Sequence, residues 1–322
     1  MNNILITSAG RRVSLVKAFR KELTSQFIDG KVFTADMNPE LSAACSISDG
    51  AFSVPHAGDP RYCEILIRIC LENNIKIVIP TIDTELIPLS KNSDLFSREN
   101  INLIISSPEM VLMCRDKRKT HRFFDKIGLD RPREIEKVLP EFPLFAKPYD
   151  GSSSIGAKLI RDRETFEGII RNEKKMIFLE YLSPGEHTEY TVDMYFDRSY
   201  NLKCAVPRER IEVRSGEVSK GVTRKDDLYD LVCSKFSFCE GFTGCITLQV
   251  FRNNKTRRVL GIEINPRFGG GYPLSYHANA NYPGMIINEY LANNKVEFNN
   301  SWTSDLLMLR YDEEIIRYDY KG

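Results

Sequence analysis

Along residues 258–265 the alternation of a strand sets Glu263 and Asn265 on one face, two residues apart, with Ile262 and Ile264 on the other. A second apolar run, 245–251, carries Gln249. The turn-rich stretch 252–256 between the two runs predicts a hairpin that brings Gln249 beside Glu263 and Asn265. One carboxylate and two amide oxygens form a hard-oxygen set suited to Mg²⁺, which takes one or two protein carboxylates and fills its remaining positions with water and nucleotide phosphate. Pro266, Arg267 and the triplet Gly269, Gly270 and Gly271 come next, so a cation and open backbone stand close to the donors. An ordinary hairpin with polar residues near its end would explain any single glutamate. Three convergent donors argue for a Mg–nucleotide site instead.

Such a set needs elements to hold it. Residues 1–107 alternate between short apolar strands (Ile4–Ile6, Val32–Ala35, Ile77–Ile79, Leu103–Ile105) and helical patterns, which predicts a small parallel sheet with helices on both faces. Ser8 to Arg12 follows the first strand and opens a helix, a usual place for an anion, yet it lacks the GxGxxG spacing of a dinucleotide site, so NAD is rejected. Strand ends in such sheets line a ligand crevice, and Asp36 and the stretch 80–85 stand at such ends, with N-caps and turns as the competing explanation.

A basic helix follows, with Asp116 placed as its N-cap and Gly128 as its stop. Leu144–Pro148 then reads as a strand bearing Lys147. Gly151, Ser152, Ser153, Ser154 and Gly156 make a small-residue loop whose backbone amides can cradle phosphate. It is not a P-loop, because Ala157 follows Gly156 where that motif demands Lys, and the loop joins two strands. Met176–Leu182 is a strand with a carboxylate near its end, broken by Ser183, Pro184 and Gly185. In 207–214, Arg208, Arg210, Glu212 and Arg214 share a face if the chain is extended, and guanidiniums so placed suit carboxylate or phosphate; the segment leads into a loop, 215–221, that contains Lys220. Cross-strand ion pairs on a solvated face are the alternative. Helices are expected over 226–239, 272–280 and 285–291.

The pattern Leu248-Gln249-Val250-Phe251, followed by Ile262-Glu263-Ile264-Asn265-Pro266-Arg267, is similar to the metal-binding end of ATP-grasp enzymes, and the trio most resembles the carbamoyl-phosphate synthase large subunit and its single-module relatives. The resemblance extends over most of the chain. It implies an α/β protein with the ATP-grasp fold, two α+β lobes gripping ATP, preceded by a Rossmann-like parallel lobe. The boundaries it implies are 1–107 for that first lobe, 108–182 for a lid subdomain and 183–322 for the subdomain with the metal site; the first lobe contributes in the family to the cleft for the non-nucleotide substrate, which makes Arg11, Asp83 and Glu85 substrate candidates. It further implies ATP with two Mg²⁺ ions, Mn²⁺ being the alternative, held by Gln249, Glu263 and Asn265. Lys117 would reach the α-phosphate and Lys147 the α- and β-phosphates, under a mobile loop containing Gly151, Ser152, Ser153 and Gly156. Glu180, Tyr181 and Leu182 would form the adenine-binding hinge, with Glu180 on the exocyclic amine and the Leu182 backbone on N1. Glu186 and Glu189 both stand for the ribose contact, and the run Glu189 to Asp193 favours Glu189. Arg267, whose counterpart contacts phosphate or the reacting acid, is expected to be catalytic together with Arg210 and Lys220. His187 stays unassigned, since this chemistry needs no imidazole base.

With 45 basic and 44 acidic residues the formal charge is +1, which gives no reason to expect nucleic-acid or membrane-surface partners. Eight cysteines without a CxxC or Cys/His zinc spacing read as reduced thiols. No signal peptide and no run near the roughly 20 apolar residues of a membrane span is found, so a cytoplasmic protein is expected, with a homodimer as the candidate assembly. The expected activity is ATP-dependent ligation of a small carboxylate to an amine through an acyl phosphate, releasing ADP and phosphate. The alternatives are a carbamate or small-molecule kinase on the same scaffold, and a silent nucleotide-binding subunit.

Overall fold

Three sheets carry the chain in a computed structural model, which describes residues 2–136, 140–151, 155–214, 216–318 and 320. Strands β1 (Asn3–Thr7), β2 (Val32–Asp36), β3 (Ala51–Ser53), β4 (Ile75–Ile79) and β5 (Asn102–Leu103) pair in parallel in the order β3-β2-β1-β4-β5. β1 is buried throughout, with Ile4 and Ile6 in one core and Leu5 in the other, as a parallel strand between two helical layers requires. The expected parallel sheet is therefore present, with two local differences. β3 has no apolar run to betray it, its end residues being exposed, and Ile104 and Ile105 lie beyond β5 rather than in it.

The second sheet is antiparallel, with β6 (Leu144–Pro148) between β7 (Lys158–Ile160) and β8 (Met176–Glu180). It has its own small core, built on Leu144, Ala146, Ile160, Phe166 and Phe178 under the helix Arg163–Asn172.

The third sheet contains β9 (His187–Phe196), β10 (Leu202–Arg214), β11 (Glu217–Thr223), β12 (Gly244–Asn253), β13 (Val259–Asn265) and β14 (Leu307–Leu309), antiparallel in the order β13-β12-β9-β10-β11-β14. On β9, Tyr190, Val192 and Met194 face a core shared with the helices Val13–Gln26 and Tyr282–Tyr290. By the same period of two, Glu189, Thr191 and Asp193 face the opposite way. The helices expected at 226–239, 272–280 and 285–291 are Asp227–Lys235, Tyr272–His277 and Tyr282–Tyr290. The first begins where the Asp226 side chain caps the Leu228 amide at 3.2 Å.

Candidate active site

Polar residues form a row across the middle of the third sheet. Glu263 pairs with Gln249, Gln249 with Thr191, and Thr191 with Arg208, so four adjacent strands present neighbouring side chains. Two residues further along the same face stand Asn265, Thr247 and Asp193, again in register. The hairpin expected from the sequence thus places Gln249 directly opposite Glu263. A β-bulge intervenes, since Gln249 pairs with Glu263 but Val250 with Gly261, leaving Ile262 as the extra residue. Ile262 therefore lines a cavity instead of pointing to the far face with Ile264, which is buried.

The amide nitrogens of the trio are occupied. Gln249 Nε2 donates to Glu189 Oε1, and Asn265 Nδ2 donates to Glu263 Oε1 at 3.3 Å. Among the described residues neither amide oxygen accepts a hydrogen bond, so both remain as acceptors. Glu263 Oε2 lies 3.8 Å from Lys117 Nζ, which also donates to the Gly151 carbonyl at 2.6 Å. Among the described residues no group of three or more His, Cys, Asp or Glu could hold a metal. A single carboxylate with two amides is a weak cage for a dication, and suits one that arrives with phosphate.

Gln249 and Glu263 are the common wall of two cavities. One, of about 220 Å³, lies between β6 and the third sheet, lined by the apolar Phe145, Ile155, Phe251 and Ile262 with Lys117, Lys147 and Glu189 at its polar side. Lys147 is buried, and that burial, reinforced by Lys117 and opposed by Glu263, lowers its pKa to about 8. The other cavity, of about 330 Å³, faces the first lobe and is lined by Arg11, Arg12, Asp83, Arg208, Arg210, Glu217 and Arg267, among others. An apolar slot ending in cations thus adjoins an arginine-rich cleft.

The remaining expected residues divide. Arg267 reaches Asp83 through two bonds of 2.9 and 2.8 Å. Burial alone would lower its pKa, but Asp83 and Glu263 outweigh that and hold it above the ordinary value. Arg210 donates to Glu189 Oε1 at 2.7 Å, and Glu189 is raised by burial against the pull of Arg210. The shared face expected for the arginine strand ends at register shifts between Arg210 and Val213. Arg208 is buried with Asp193 (2.7 and 2.9 Å), whereas Arg214 is exposed and pairs with Asp312. Lys220, expected to be catalytic, lines neither cavity; half exposed, it pairs with Glu212 at 2.6 Å. Glu180, Tyr181 and Leu182 sit where β8 leaves its sheet for β9, and Glu180 accepts from the Arg133 amide at 2.9 Å. They line neither cavity. Gly151 borders the smaller cavity, Gly156 has φ +77 beside Pro148, and Ser152 and Ser153 lie outside the described residues. Glu85, a substrate candidate by position, is fully buried and accepts from the Tyr62 and Ser8 hydroxyls and the Thr81 and Ile82 amides, so it is an anchor.

Residues 4–104 match the family described as PylC-like, N-terminal domain, and residues 172–312 match the family described as ATP-grasp in the biosynthetic pathway with Ter operon. The biotin carboxylase domain of Hydrogenobacter thermophilus 2-oxoglutarate carboxylase, solved with MgADP and bicarbonate, superposes with a TM-score of 0.72 at 12% identity over 94% of this chain and 73% of that one. The chain has the ATP-grasp fold. The L-amino acid ligase of Bacillus licheniformis shares the fold at a TM-score of 0.68, 15% identity, and 93% and 77% coverage. Among curated relatives, 3-methyl-D-ornithine--L-lysine ligase of Methanosarcina acetivorans is 29% identical over 148 residues, 38% of this chain and 40% of the relative. The same-named enzyme of Methanosarcina mazei is 31% identical over 114 residues, 30% and 29% of the two chains. The match thus spans well under half of either relative.

Several residues of this cleft were not legible in the sequence. Thr191, Asp193 and Thr247 follow from the same alternation that gave Gln249, had it been extended across β9 and along β12. Glu217 carries no local signal, because it meets Arg12 only where the first lobe packs against β11. The triple glycine has a steric reason. A Cβ on Gly271 would lie 2.1 Å from Arg208 Nη1, and one on Gly270 2.5 Å from the Glu217 carboxylate.

Proposed function

We propose that the chain is an ATP-dependent carboxylate–amine ligase: ATP phosphorylates a carboxylate, an amine displaces phosphate from the acyl phosphate, and ADP and phosphate leave. The observation that carries this reading is the position of Gln249 and Glu263 as the wall shared by the two cavities. A γ-phosphoryl group held there can pass from a nucleotide on one side to an acid on the other. The ligase names of the partial relatives and of the Bacillus structure support it.

In this reading the base lies among Phe145, Ile155, Phe251 and Ile262. The hinge residues Glu180, Tyr181 and Leu182, which do not line that cavity, would contact its adenine edge from outside. Lys147, Lys117 and the backbone of Gly151, Ser152, Ser153 and Gly156 take the phosphates. Glu189 Oε1 is used by Arg210 and Gln249, which leaves Oε2 for the ribose. Gln249, Glu263 and Asn265 would hold two Mg²⁺ ions, which screen the phosphates and polarise the transferring group. The chain's own task is to bring a carboxylate up to an anion. Arg267, fixed by Asp83, and Arg210, fixed by Glu189, supply preorganised positive charge where that repulsion arises. We assign 1–107 to the substrate-facing lobe, 108–182 to the nucleotide-covering one and 183–322 to the one with the metal site. Among the described residues no helix is long and apolar enough to cross a membrane, and free cysteines with ATP chemistry fit the cytoplasm.

The test is ADP release screened against amino acids, sugar acids and amines in pairs. Release that needs an acid, rises with an amine and yields an amide supports the ligase. A stable phosphate ester or carbamoyl phosphate would make it a kinase, and no acid-dependent release would remove the reading.

A further inference from the structure

The cleft wall supplied by the first lobe carries more positive charge than protein carboxylates meet. Of the guanidiniums lining the larger cavity, Arg208 has Asp193, Arg210 has Glu189 and Arg267 has Asp83, at 2.7, 2.7 and 2.8 Å. Arg11 and Arg12 differ. Arg11 is exposed to the cleft, and among the described residues no hydrogen bond or ion pair engages it. Arg12 is largely buried, its side chain 18% exposed, yet it reaches Glu217 only at 3.9 Å and the Thr81 carbonyl at 3.5 Å. Glu217 meanwhile accepts from Arg310 at 3.0 Å, so its charge is divided.

The surroundings of Arg12 are those of a cation lacking an anion. Burial, then Arg267, pulls its pKa below the ordinary value, and Glu217 and Asp83 offset this only in part. A buried charge left without a close partner is costly, and a ligand anion would relieve it. Both arginines precede the helix Val13–Gln26, whose first turn has no acidic residue and whose N-cap, Arg12, makes no side-chain capping bond. The protein anions nearby are engaged elsewhere, Asp36 by the Gly10 amide at 2.9 Å and Glu217 by Arg310 at 3.0 Å.

We infer that Arg11 and Arg12 bind a substrate carboxylate other than the one that is activated. The two substrates together therefore carry at least two carboxylates, the second belonging either to the acid, as in a dicarboxylate, or to the amine, as in an amino acid. Which groups react rests on the ligase reading above. The anion subsite itself does not.

Calorimetric binding to the full chain, with Mg²⁺ and a non-hydrolysable ATP analogue present, separates these points. One arm compares succinate and glutarate with their monoamides, and the other compares alanine, lysine and glutamate with their α-carboxamides. Each pair is nearly isosteric and differs by one negative charge. In one arm the acid should bind about tenfold or more tightly than its amide, the scale of one charge-assisted contact. Arg12→Gln should bring that ratio to within about twofold while affinity for the ATP analogue is retained. The exposed Arg11→Gln guards against a folding defect at Arg12 and should reduce the ratio in the same direction. The arm that responds names the source of the carboxylate. Ratios near one in both arms, no binding in either, a preference unchanged in both variants, or a preference lost only together with nucleotide binding would each overturn the inference. The ligase reading fails separately, by absent acid-dependent ADP release, even where the carboxylate preference is intact.

Discussion

Removing the charge of Asp83 should disable the site from the neighbouring lobe. Asp83 opens the helix Asp83–Lys91 after β4, and it accepts from Arg267 Nε at 2.9 Å and Nη2 at 2.8 Å across 184 residues of sequence. The two side chains are 16% and 17% exposed, so the pair is largely desolvated without being sealed. Breaking a fully buried pair costs about 3–5 kcal/mol. An exposed pair contributes about 0–1 kcal/mol, so roughly 2 kcal/mol is the scale for this one. Asp83→Asn keeps the shape and one acceptor but leaves the guanidinium uncompensated. Glu263, the other carboxylate that raises the pKa of Arg267, is then its natural partner. A guanidinium drawn to Glu263 would cover the carboxylate proposed to hold Mg²⁺. The expected loss is about 1.5–3 kcal/mol of transition-state stabilisation, roughly ten- to a hundredfold in kcat/KM, with a modest fall in Tm. Coupled ADP-release kinetics and thermal unfolding read the two effects. Wild-type kcat/KM in a correctly folded Asp83→Asn protein would refute the idea that the first lobe positions Arg267.

Glu263→Gln, nearly isosteric, should abolish Mg–ATP turnover while circular dichroism and Tm stay near wild type; substantial ATP consumption by the purified variant would count against the metal assignment. Lys147 gives a pH test. Between about 8 and 10.5 the native state binds fewer protons than the unfolded chain, so this group's contribution to stability rises with pH through that window. Mg–ATP affinity should move the other way, weakening from pH 7 to 9 as the amine loses its charge, and Lys147→Met should flatten that slope in calorimetric titrations. A flat wild-type profile would be the contrary outcome. Gly271→Ala places a Cβ 2.1 Å from Arg208 Nη1, so the guanidinium that Asp193 holds through Nε and Nη2 must shift; if that breaks the buried pair, the scale is about 3–5 kcal/mol in denaturant unfolding. An unchanged midpoint would mean that the arginine has room to move.

What could be read from the sequence was governed by distance along the chain. Period-two alternation with a short turn was enough to join Gln249, Glu263 and Asn265, because a hairpin fixes its own register. The parallel sheet was visible in its central strands, which are continuous apolar runs, and invisible in β3, which has none. Lys220 shows the limit of the same reasoning. The loop after the arginine strand was expected to carry it, but the segment continues as β11, and a pairing with Glu212 holds Lys220 half exposed. Arg267 with Asp83, and Arg12 with Glu217, are contacts between lobes, set by how three sheets pack rather than by any local pattern. Ile262 was misplaced for a smaller reason, a single bulge that no composition announces.

The central claim is that the two cavities exchange a phosphoryl group through the wall formed by Gln249 and Glu263. With the acid identified by ADP release and its carboxylate labelled with oxygen-18, attack on the γ-phosphoryl and displacement by an amine should leave one heavy oxygen in each inorganic phosphate, in equal number with ADP and amide. Mass spectrometry of the released phosphate reads this directly. Unlabelled phosphate accompanying amide, or AMP in place of ADP, would contradict an acyl-phosphate ligase.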